Sequence, residues 1–267
     1  MSIFNRMMAS IGIGSAKVDL RLDTHEAAAG ERLGGVVAIR GGKISQRIDN
    51  IYVHLYTEYH KEETVKTTDG KEETRKLHVT HRLAEYRLGE NLSIDPGETR
   101  ELPFVIELPA LTPMTTNRDK VWLRTGLDIN NAIDPGDKDV LHVLPHAYTQ
   151  IVLDAVYQLG FAIKEITNEH DPRSRNGVPF IQNIEFAPKG PYRALLDELE
   201  IAMFPREDGI ELLIEIDRRA RGLTGFFAEM LDMDESLHLL WLSAEEVEQG
   251  PGAVAVILAE LINRHAL

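Results

Sequence analysis

Ile210, Leu212, Ile214 and Ile216 alternate with Glu211, Glu215 and Asp217. A period of two puts the apolar side chains on one face of an extended strand, whereas a helix would scatter them around its axis. Leu199, Ile201 and Met203 alternate just before them, and Pro205–Gly209 turns the chain between the two runs, so the pair reads as a hairpin. The same beat recurs elsewhere. Ala16, Val18, Leu20 and Leu22 alternate with Lys17, Asp19, Arg21 and Asp23. Leu33–Arg40 follows the turn at Ala29-Gly30-Glu31, and Ile51, Val53 and Leu55 alternate with Tyr52, His54 and Tyr56. Residues 58–76 are almost entirely polar, with Asp69-Gly70 as a hairpin tip, and read as a long solvated ribbon. Strands continue over Leu77–Leu88 and Glu101–Leu108, where Pro103 and Pro109 favour an edge position. Many short strands separated by turns predict an all-β chain. With 267 residues, 43% of them hydrophobic, there is material for two antiparallel β-sandwiches in tandem.

The stretch Trp122–Pro145 reads as the seam between them. An apolar-alternating segment runs into the turn chemistry of Asp134-Pro135-Gly136-Asp137 and leaves as a second apolar run. This predicts an N-terminal sandwich over residues 1–130, a junction over 131–145, a C-terminal sandwich over 146–242 and a helical tail over 243–267. Ile151, Val152, Leu153, Ala155, Val156, Tyr157 and Leu159 are expected to form a dense apolar strand, followed by a loop over Asn168–Pro179. In the tail, Ser243 and Glu246 make a capping box. Val254, Ile257, Leu258, Leu261 and Ile262 then line one helical face, which must dock on the second domain or on another chain. Ile3, Phe4, Met7, Met8 and Ile11 suggest a short amphipathic lead-in.

The net charge is −14, and residues 201–267 hold 5 basic against 13 acidic side chains. Such a field repels nucleic acid and anionic lipid and suits solubility or a basic protein partner. No run approaches the roughly 18 apolar residues of a spanning helix. The absence of cysteine excludes disulfides, thiolate metal sites and a Cys nucleophile. A cytoplasmic setting without stable membrane insertion is the expectation.

Arg124 among Asp128, Asp134, Asp137 and Asp139 is read as a charged junction whose ion pairs set the domain angle. The same carboxylates could offer oxygens to calcium, but Ala132 and Ile133 break the EF-hand pattern. His78 with His81, and His142 with His146, are the close histidine pairs that a zinc site would need. Residues 78 and 81 differ in strand parity, which sends them to opposite faces, so the expectation is no metal and no cofactor. Gly12-Ile13-Gly14-Ser15-Ala16-Lys17 lacks the phosphate-loop spacing and leads into a strand. No catalytic motif stands out, so no catalytic residue is assigned. The features best suited to recognise a partner are the basic cluster Arg218, Arg219 and Arg221, the polar ribbon, and the Val254, Ile257, Leu258 and Leu261 face. A homodimer is compatible with all of them. The alternative class is a metal sensor or metal-dependent enzyme using the acidic loop or the histidines.

Ala29-Gly30-Glu31-Arg32-Leu33-Gly34-Gly35-Val36 resembles the G-E-x-L-x-G-x-V segment of arrestin-type domains. Asp95-Pro96-Gly97, Leu102-Pro103-Phe104, Leu108-Pro109 and Pro113 resemble the same fold's P-G…P-F-x-x-x-L-P…P pattern. Ala9–Leu22 and Trp122–Pro145 are similar to the bacterial SpoOM, or sporulation-control, family, and the resemblance spans the chain. It implies two tandem arrestin-like β-sandwiches and a non-catalytic scaffold role, regulating a process such as sporulation or cell division through protein partners.

Overall fold

The computed structural model describes residues 15–66, 72–129, 134–174, 176–218 and 237–266. The expected N-terminal lead-in, the Asp69-Gly70 tip, and Arg219 and Arg221 lie outside the described residues. Strands dominate, helices are few, and a helix closes the chain, as the sequence predicts. Two compact units form, but not by a single cut: unit 1 takes residues 1–58, 80–115 and 120–144, and unit 2 takes 59–79, 116–119 and 145–267. The physical reason is the polar ribbon. β4 (Gln46–Lys66) and β5 (Glu72–Ile94) are 21 and 23 residues long, so their bases belong to one unit and their far ends to the other.

Unit 1 is a β-sandwich. One sheet has the order β1 (Lys17–Leu22), β3 (Arg32–Arg40), β6 (Thr99–Glu107), all antiparallel. Pro103 sits on an edge strand, where its missing N–H costs no ladder bond. The other sheet runs β4, β7 (Val121–Ile129), β8 (Gly136–Leu144), β2 (Glu26–Ala28), with β5 paired to β4. Leu20, Leu33, Val37, Ile39 and Phe104 from the first sheet share one core with Ile51, Val53, Leu55, Leu123, Leu127, Leu141 and Val143 from the second. The turn before β3 rests on Gly30, whose φ of 82° favours glycine, and its N–H donates to the Leu108 carbonyl. β7 and β8 form a hairpin inside this sheet, so the segment expected to be the interdomain junction, 131–145, is instead largely part of unit 1. Asp134-Pro135-Gly136 leads into a strand that returns to the same sheet, and the chain does not cross to a second domain there.

Unit 2 holds an antiparallel sheet in the order β13 (Leu237–Ser243), β12 (Gly209–Arg218), β11 (Leu196–Arg206), β10 (Phe180–Pro188), β9 (Phe161–His170). The β11–β12 hairpin is the expected one, with Arg206 opposite Gly209. The dense apolar run expected as a strand is helix α1 (Ala147–Gln158). Its buried residues Thr149, Val152, Leu153 and Val156 follow a spacing of three and four, which is helical, and the His146 side chain accepts the Tyr148 N–H at its start. Helix α2 (Ala244–Glu248) carries the predicted Ser243–Glu246 capping box. Helix α3 (Pro251–Ala266) begins with proline at its first position, where no N–H is missed. Helices α1, α2 and α3 pack on one another and on the strands. Among the described residues the layer on this sheet is therefore helical, where a second sheet was expected. The α3 face expected to meet a partner is occupied within the unit: Val254, Leu258 and Ile262 are buried, and Ile257 and Leu261 half-buried.

Candidate functional site

In β4, β7 and β8 the residues that turn away from the core form a continuous outer face. Tyr52 lies opposite Gly126, His54 opposite Arg124, Tyr56 opposite Trp122, and Arg124 opposite Lys138. Aromatic rings pave it. Tyr52 stacks on His54 at 4.5 Å, His54 meets Tyr56 edge-on at 5.9 Å, and Tyr56 stacks with Trp122 at 5.8 Å. Lys138 Nζ sits 4.1 Å from the Trp122 ring centre, a cation–π contact. Gly126 leaves room for this arrangement, since a Cβ there would come within 2.4 Å of the Tyr52 hydroxyl. Glu85 pairs with His54 at 3.1 Å and with Arg82 at 2.8 Å. Burial lowers the His54 pKa, with Glu85 opposing that shift.

Among the described residues Arg124 forms no ion pair with Asp128, Asp134, Asp137 or Asp139, so the expected charged hinge is not built. The pleat explains it. Asp137 and Asp139 lie opposite Thr125 and Leu123, on the face away from Arg124. Asp137 accepts the Leu20 N–H and the Lys138 N–H, both at 2.9 Å. Asp139 Oδ2 is buried with no hydrogen-bond partner among the described residues, and burial, with Asp137 beside it, pushes its carboxyl up to about 6. Asp128 accepts from Asn50 Nδ2 and Asp134 from the Ile129 N–H. Nor do the carboxylates gather, among the described residues, as the calcium reading required: they are divided between two faces, with Asp134 and Asp137 engaged by main-chain N–H groups and Asp128 by Asn50.

The histidine pairs do not meet as the zinc reading required. His146 caps α1, His142 approaches Glu26 at 3.8 Å, and His78 packs edge-on against His60 at 4.4 Å. Among the described residues no group of three or more His, Asp or Glu side chains could hold a metal ion.

Unit 2 contains two features that sequence reasoning missed. Asp119 is fully buried; its Oδ1 lies 2.9 Å from His60 Nε2, and its Oδ2 accepts the Asn168 N–H at 2.8 Å. The second is a cross-strand row, Glu165–Glu185–Glu200–Glu215, one glutamate on each of β9, β10, β11 and β12. Lys164 pairs with Glu185 at 3.0 Å and with Glu198 at 2.6 Å, and Arg118 pairs with Glu165. Burial lifts Glu200 to about 7, the Asn183 amide pulling it back down and Glu185 adding to the rise. The glutamates were visible in the sequence, but only the register puts them side by side.

At the edge of the unit 2 sheet, β13 (sequence LHLLWLS) pairs with β12 alone among the described residues. Leu239 is 64% and Trp241 43% exposed.

The SpoOM protein family model matches residues 4–220. The sporulation-control protein Spo0M of Bacillus subtilis (strain 168) is 39% identical over 267 residues, covering 100% of both chains. The crystal structure of Spo0M from Bacillus subtilis superposes with a TM-score of 0.81 at 36% identity, covering 95% of this chain and 100% of that one.

Proposed function

Because the chain belongs to the SpoOM family, we propose that it is a cytoplasmic regulator of the sporulation-control type that acts by docking protein partners and not by catalysis. No described helix is long and apolar enough to cross a membrane. Unit 1, with its Gly30 turn and its edge proline, is on this reading the arrestin-type sandwich that the sequence segments resemble. The observation that carries the docking reading is the edge strand β13. Sheet edges present unpaired N–H and C=O groups, and proteins usually blunt them with Lys, Pro or a covering element. β13 contains neither Lys nor Pro, and it holds Leu239 and Trp241 in the open beside that edge. A partner strand added there would gain main-chain hydrogen bonds and two apolar anchors.

The test compares tagged full-length protein with its Leu239→Lys/Trp241→Lys variant, both captured from native lysate and quantified by mass spectrometry. Partners held by the parent and lost by a variant with unchanged circular dichroism support the reading. An identical set of captured proteins from both, or none under any growth condition, overturns it.

A further inference from the structure

The outer face of unit 1 holds two cations without a countercharge. Arg124 and Lys138 are direct cross-strand partners, an arrangement in which like charges repel. Among the described residues neither forms an ion pair, in a chain whose net charge is −14. The nearby carboxylates are committed elsewhere: Asp137 to two main-chain N–H groups, Asp128 to Asn50, Glu85 to His54 and Arg82. Beside the cations stand the half-buried Tyr56 ring and, stacked with it, the Trp122 ring, which is 8% exposed. With Thr80, Gly136 and Asp137, whose carboxylate turns to the Leu20 N–H on the other face, these residues line an open groove of about 690 Å³, within the size range of small-ligand sites.

We propose that this groove binds a small anion carried on a flat ring, with a carboxylate or phosphate between Arg124 and Lys138 and the ring against Tyr56 and Trp122. Each half of the ligand answers a separate feature. The guanidinium fork matches the oxygens of a carboxylate or phosphate, and an anion there cancels the Arg124–Lys138 repulsion. A ring laid on Tyr56, half-buried beside the buried Trp122, removes apolar surface from water and stacks on it. A bare anion leaves the half-buried Tyr56 ring uncovered, and an uncharged ring leaves the cations opposed. This site is independent of the β13 edge.

Isothermal titration calorimetry on the full chain tests it with phenyl phosphate and benzoate, which separate phosphate from carboxylate sources, and with inorganic phosphate and benzyl alcohol as the isolated halves. The expected result is saturable binding of phenyl phosphate or benzoate, about tenfold tighter than either half. Arg124→Gln and Lys138→Gln should each weaken it by about tenfold, and Tyr56→Leu should remove the advantage over inorganic phosphate, all with unchanged circular dichroism. No saturable heat with either ring-bearing anion overturns the proposal. So does inorganic phosphate binding as tightly, which marks an adventitious ion only, and so does affinity indifferent to Arg124→Gln.

Discussion

Glu185 and Glu200 stand directly opposite each other on β10 and β11, and Glu165 and Glu215 extend the pair to a row across four adjacent strands. Like charges so placed oppose folding. Glu200 is only 9% exposed, and burial first, with Glu185 and Glu198 adding, raises its pKa from 4.5 to about 7. Between those values the folded protein keeps a proton that the unfolded chain has released. Stability from this group is therefore full at low pH, falls as pH rises from about 4.5 to about 7, and stays reduced above. Asp139, raised to about 6, acts in the same direction. Glu200→Gln should gain roughly 1–3 kcal/mol near pH 8 and little near pH 5. Urea denaturation at both values checks it, and an equal effect at the two would contradict the buried-proton account.

Asp119 anchors unit 2 through His60 Nε2 and the Asn168 N–H while fully buried itself. Removing the carboxylate takes away the acceptor of the buried Asn168 N–H, which costs about 1–3 kcal/mol. Asp119→Ala should lose that much in chemical denaturation. A loss under about 1 kcal/mol, the range of exposed pairs, would show that water reaches the site.

Arg124→Glu is expected to be nearly silent in stability, because Arg124 has no ion pair to lose among the described residues. The new carboxylate would face Lys138, an opposite-charge cross-strand pair worth roughly 0.2–1 kcal/mol in favour. A thermal melt that drops by several degrees would mean that Arg124 holds structure after all.

Leu258 is 1% exposed on the α3 face that packs within unit 2. Leu258→Ala should cost about 2–5 kcal/mol. Val256, 60% exposed on the same helix, should tolerate Val256→Ala within about 0.5 kcal/mol. Comparable losses at both positions would contradict the assigned docking face.

Strand after strand is legible in local pattern: β1, β3, the base of β4, β6, β11 and β12 each show their period of two in the residues themselves. So does the Ser243–Glu246 cap, whose atoms lie within one turn. The α1 segment misleads because seven apolar residues crowd into nine positions, and density hides the three-and-four spacing of those that are buried. Spacing, weighted over density, marks the helix in Thr149, Val152, Leu153 and Val156.

By itself, then, the sequence determined that the chain is mostly strands and which face of β1, β3, the base of β4, β6, β11 and β12 is apolar, because side-chain alternation is a property of a single strand. Only the tertiary structure decided which residues became neighbours. Register between strands is set by packing and turn geometry far along the chain, and a shift of one residue exchanges the two faces. That register separated Arg124 from Asp137 and Asp139 and placed it against Lys138, and it lined up Glu165, Glu185, Glu200 and Glu215. It also carried the ribbon strands β4 and β5 from one unit into the other, so that the chain has no single point at which it can be cut into its two units.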